Sequence, residues 1–158
     1  MSALPEVTGR EEFDALVVRT SYGDEQAWRD ITEALAQPWG DGLFEACVHL
    51  VDDPVWSGAT ADEVVTALSD DEELPVVFLA DRASMDGDHH PLLAVTTLTR
   101  EECVDEEDYE QLVRFGREFR TTPAGVHDVH ANLSTGNIGF EEFAESAGED
   151  PEGIYRSV

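Results

Sequence analysis

The chain has 158 residues, of which 36 are Asp or Glu and 9 are Lys or Arg, giving a net charge of −27 and a pI near 4.1. All 9 basic residues are arginine, which excludes chemistries that turn on a lysine: a P-loop, a Schiff base or a protein-kinase phosphate contact. The same charge repels phosphate backbones and anionic bilayers, so direct nucleic-acid or membrane binding is not expected.

In chain order, Leu16-Val17-Val18-Arg19-Thr20 reads as a first strand. Asp24 is placed to cap a helix that runs to about Gln37, before Pro38 stops it. Ala27, Trp28, Ile31, Ala34 and Leu35 fall on one face of it. A second strand covers Phe44 to Val51 and ends in Asp52-Asp53-Pro54, with Val55 to Gly58 as loop. Thr60 and Glu63 form a capping-box pattern ahead of a second helix, which ends near Leu68.

The run Leu74 to Asp81 is apolar without alternation, as expected of a strand covered on both faces. The loop from Arg82 to His90 is too short for a parallel crossover, so Leu92 to Leu98 is expected to return antiparallel. Asp105 to Phe115 suggests a helix with Tyr109, Leu112 and Val113 inward and Gly116 as its C-cap. Glu118 to Thr121 reads as a short strand near an edge. Thr122-Pro123 opens a further helix carrying Val126, Val129, His130 and Leu133 on one face. Phe140 to Ala147 forms another, and Ile154-Tyr155-Arg156 could add a small strand.

Strand and helix alternate at the start of the chain, which is the mark of parallel pairing. The expected fold is α/β: a single three-layer domain over residues 1–158, with a mixed, mostly parallel sheet of about five strands flanked by helices. No apolar run approaches the ~20 residues of a membrane span. The N-terminus lacks the pattern of a signal peptide, and a soluble cytoplasmic protein is expected. Cys47 and Cys103 have no metal-ligand spacing.

Three groups of residues could carry chemistry. Asp52, Asp53 and Asp81 end strands, and with Arg19 they could meet at one rim of the sheet, where carboxylates can hold a divalent cation. Asp86-Gly87-Asp88-His89-His90 reads first as a turn. His127 and His130 share a helix face, with His130 expected to pack and His127 to be partly exposed. No metal or other cofactor is implied by the spacing of any of them.

Leu16 to Thr20 with Trp28, Val51-Asp52-Asp53-Pro54, Phe78-Leu79-Ala80-Asp81 and His90 to Val95 resemble a family of small acidic single-domain bacterial proteins of unknown function. Asn132-Leu133-Ser134, Asn137 and Phe140-Glu141-Glu142-Phe143-Ala144 carry the resemblance furthest, and together these stretches span about residues 16–156. The resemblance implies a single-domain α/β fold and brings no activity, substrate or cofactor. Asn132 and Asn137 would flank a break between two helices, satisfying terminal carbonyls or contacting a ligand.

The leading functional expectation is a non-enzymatic interaction module that binds a basic protein, by analogy with the size and charge of immunity proteins and antitoxins. Such a module would present exposed aromatic residues such as Trp39, Trp56 or Tyr22 on an acidic face. The alternative is a metal-dependent hydrolase or phosphoesterase using Asp52, Asp53 and Asp81.

Overall fold

The computed structural model describes residues 15–36, 48–67, 76–86, 90–97, 104–114, 116–135, 139–151 and 153–155. Six strands form one sheet: β1 (Ala15–Arg19), β2 (Val48–Val51), β3 (Val76–Ala80), β4 (Leu92–Thr96), β5 (Glu118–Thr121) and β6 (Ile154–Tyr155). Their spatial order is β2-β1-β3-β4-β5-β6. β1 pairs parallel with β2 and β3, β4 is antiparallel to both its neighbours, and β6 lies parallel to β5. Every strand except β4 therefore points the same way, as the alternation of elements and the short 82–90 connection require.

The helices are α1 (Glu25–Leu35), α2 (Ala61–Ala67), α3 (Arg82–Asp86), α4 (Glu106–Leu112), α5 (Pro123–Thr135) and α6 (Phe140–Glu149). Among the described residues none is long and apolar enough to cross a membrane. Successive strand residues face opposite sides of a sheet, and here the two sides enter two separate cores. Val17, Val76, Phe78, Leu92 and Ala94 pack with residues of α1, α5 and α6. Leu16, Val18, Val77, Leu79 and Val95 pack with Trp56 and Val64. These two cores make the three layers. They also explain the unbroken apolar runs of β1 and β3, whose residues are all buried. Each large apolar side chain so covered contributes roughly 1.5–3 kcal/mol.

Local signals set the helix starts. The Asp24 carboxylate accepts from the Ala27 amide at 3.0 Å, and Thr122 Oγ1 accepts from the Gly125 amide at 3.2 Å, with Pro123 as the first helical residue. At α2 the Thr60 hydroxyl accepts from the Glu63 amide while Glu63 accepts from the Thr60 amide, both at 3.2 Å. Thr60→Ala is expected to cost about 1 kcal/mol in urea unfolding. A loss below about 0.3 kcal/mol would mean that α2 is held by packing alone.

The structure departs from the sequence reading at several places. Pro54–Trp56 is a 3-10 turn rather than a loop. Arg82–Asp86 is a short helix inside the expected loop. Ile154–Tyr155 forms the small additional strand that the sequence allowed, the sixth of the sheet. The helix α4 stops at Leu112, with Val113 as its C-cap and Gly116 at φ +101 just beyond.

Candidate carboxyl-edge site

The carboxyl ends of β1, β2, β3 and β5 come to one edge of the sheet. β1 lies between β2 and β3, so successive connections leave in opposite directions. Ligand crevices of open α/β sheets form at such a switch point. Two clusters of charge occupy this edge.

The first is built on Arg19, the last residue of β1, which is only 2% exposed. Its Nη2 donates to Glu25 Oε1 at 2.7 Å, its Nη1 to Asp52 Oδ1 at 3.3 Å, and its Nε to the Ser21 carbonyl at 2.9 Å. The guanidinium carbon lies 4.2 Å from the Tyr22 ring centroid and 5.1 Å from that of Trp28. Trp28 Nε1 donates to Asp52 Oδ2 at 3.2 Å. Arg19 thus joins β1, the end of β2 and the first turn of α1. The hydrogen bond from Arg19 holds the Glu25 carboxyl below its ordinary range. Burial, then the Asp52 charge, pushes the Tyr22 phenol up to about 12.

The second cluster is built on Asp81, directly after β3. Arg120 of β5 grips it with both terminal nitrogens, Nη1 to Oδ1 at 2.7 Å and Nη2 to Oδ2 at 2.9 Å. The Ser84 amide adds a bond at 3.1 Å. The Ser84 hydroxyl is fully buried, accepts from the Asp81 amide at 3.2 Å and donates to the Pro91 carbonyl at 2.8 Å. Burial alone would raise the Asp81 carboxyl; the Arg120 hydrogen bonds and charge, with Ser84, outweigh it and hold the group below the usual carboxylate range. The pair spans β4, which lies between β3 and β5.

These clusters sit on different sides of the sheet. Arg19 and Asp52 lie under Trp28 of the α1 core. Arg120 is in register with Leu93, and Leu93 with Leu79, both of the α2 core. Asp53 joins neither: its Oδ1 accepts from the Val55 amide at 3.1 Å and caps the 3-10 turn. Among the described residues no group of three or more His, Cys, Asp or Glu is placed to hold a metal ion.

The remaining candidates are placed as follows. Trp56, expected as an exposed contact, is 1% exposed and belongs to the α2 core, because the turn after Asp53 swings it inward. Trp39, Cys47, Cys103 and Asn137 lie outside the described residues. Asn132 lies in the last turn of α5, where its Nδ2 donates to Asp128 O at 2.8 Å and Asp128 Oδ1 at 2.9 Å. His130 packs as expected, but His127 is also buried, at 4% exposure. Its Nε2 donates to the Leu35 carbonyl at the end of α1, at 2.8 Å. Burial lowers its pKa, against the opposing effect of that bond.

Of the Asp86–His90 stretch, residues 87–89 lie outside the described residues. Asp86 pairs with Arg82 at 3.4 Å. His90 adopts φ +49, and its Nδ1 donates to the Ser84 carbonyl at 3.0 Å. Its Nε2 is 3.9 Å from Asp30 Oδ2, across an open recess of about 340 Å³ between α1 and α3.

The sequence reading missed Arg120. Its signal was a lone cation between Phe119 and Thr121 in a short strand, but the partner lies 39 residues away. A search of curated proteins finds no match to the chain. Residues 14–158 match the family model described as a domain of unknown function (DUF6924), and the chain belongs to that family.

Proposed function

We propose that the chain is a non-enzymatic interaction module of the cytoplasm whose acidic surface binds a basic protein. The observation that carries this reading is the division of charge. Arg19 and Arg120 are turned inward onto Asp52, Glu25 and Asp81, and among the described residues the exposed Arg29, Arg82 and Arg114 are far outnumbered by exposed carboxylates on the helices. On α4, Glu106, Glu107, Asp108 and Glu110 are all exposed, next to Val104 at 91% exposure. An apolar residue beside several acids suits a basic, partly apolar surface. Immunity proteins and antitoxins offer a precedent of similar size and charge, by analogy only.

A metal-dependent hydrolase or phosphoesterase would need Asp52, Asp53 and Asp81 around one ion. An arginine on one face, a backbone amide and an arginine on the other face engage them separately, which favours the binding reading. Capture on the immobilised chain from its native host, read by mass spectrometry, is expected to recover a basic protein that added salt releases. Recovery of acidic or neutral proteins alone, or retention that salt leaves unchanged, would rule the reading out.

A further inference from the structure

Where α6 meets β6 at the sheet's edge, Phe143, Tyr155, Glu142 and Ser146 line an open recess of about 320 Å³. Phe143, 3% exposed, forms its floor, and the half-buried Tyr155 forms its wall. Phe143 meets Tyr155 edge-on, with centroids 5.0 Å apart and planes at 88°. Phe119 backs both, at 6.2 Å from Phe143 and 6.5 Å from Tyr155. The Tyr155 hydroxyl donates to the Asp128 carboxylate. A tyrosine ring face attracts a cation placed over it.

The rim is acidic. Glu142 is exposed and gives one oxygen to the Gly139 amide at 3.1 Å, which holds its carboxylate over the first turn of α6. Glu145 and Glu149 follow on the same helix and are exposed too. An anion entering here meets a chain of net charge −27. A purely apolar group would cover Glu142 without satisfying it. A basic side chain answers both features: its methylenes lie on the rings and its cationic head meets the carboxylate.

We infer that this recess receives one arginine or lysine side chain of the basic partner, stem against Tyr155 over the floor made by Phe143 and head at Glu142. This rests on the interaction-module reading and names the chemistry of one contact within it. The test is an NMR titration of the full chain with capped arginine amide, against capped citrulline amide, which has the same shape without charge. Saturable shifts of the Phe143 and Tyr155 ring signals are expected with arginine, and binding about fivefold weaker or worse with citrulline. Glu142→Gln should weaken arginine binding by a similar factor. Ser146→Phe, made at an exposed position on α6, should fill the recess and abolish the shifts while the fold persists.

Equal binding of the two amides overturns the inference. So do shifts spread over the surface carboxylates that Ser146→Phe leaves intact, although that result leaves the acidic-module reading standing. Ring shifts specific to arginine, together with no basic partner captured from the host, would support the recess and sink the module.

Discussion

Arg19→Ala is expected to destabilise the fold by about 2–4 kcal/mol, read as a lower urea midpoint with an unchanged slope. Arg19 is nearly fully covered, and alanine would empty the space between the Tyr22 and Trp28 rings. It would also leave the Ser21 carbonyl without its side-chain donor and the Asp52 carboxylate with the Trp28 indole alone. The two acids tell the effects apart. Glu25 is 66% exposed and Asp52 47% exposed as side chains, so either can turn to water. Asp52→Asn should therefore cost about 1 kcal/mol or less, and Glu25→Gln should leave the urea midpoint close to that of the wild type. Arg19→Met, which keeps an apolar stem between the rings, should recover about half of the alanine loss. If Arg19→Ala costs no more than Asp52→Asn, the guanidinium is not what ties α1 to the ends of β1 and β2.

Asp81→Asn should cost about 2–3 kcal/mol at neutral pH, because it replaces a bidentate charged pair with an amide that cannot match both Arg120 nitrogens. Its pH dependence is the sharper readout. The Asp81 carboxyl is depressed in the folded chain, so its stabilisation is fully present above the unfolded carboxylate pKa of about 3.9. That stabilisation drains away as pH falls through the folded value. Acidification also relieves the repulsion within a chain of net charge −27, so the raw stability curve mixes opposing effects. The difference between wild type and Asp81→Asn removes the shared part. This difference should be flat from neutral pH down to the ordinary carboxylate range and shrink below it. A difference that is constant down to the acid limit would show that Asp81 acts through shape, not charge.

Much of the fold was legible because its signals are local. The β3 run is apolar on both sides of the strand, and only a strand with a core on each face needs that composition. Asp24, Thr60 and Thr122 satisfy amides three residues ahead of them, within the reach of a sequence window. The brevity of the 82–90 connection set the direction of β4. The exposure of Trp56 and His127 was misread. Trp56 follows Asp53-Pro54, whose capped turn aims it into the core, and neither residue alone reveals that aim. His127 is buried by a bond to Leu35, 92 residues away.

The carboxyl edge marks the boundary between what the chain declares and what folding decides. Residue order alone determined the α/β class, the mostly parallel sheet, the helix starts and the position of acids at strand ends. These follow from backbone and side-chain preferences that act over a few residues. Which arginine meets which acid was decided only when β5 came to lie two strands from β3 and α1 folded over the end of β1. Ion pairs form between groups that packing brings within a few ångströms, and packing is set by the summed burial of both cores rather than by the charges themselves. For that reason four strand-end residues that looked like one site became two separate clasps, one on each face of the sheet, and a turn cap.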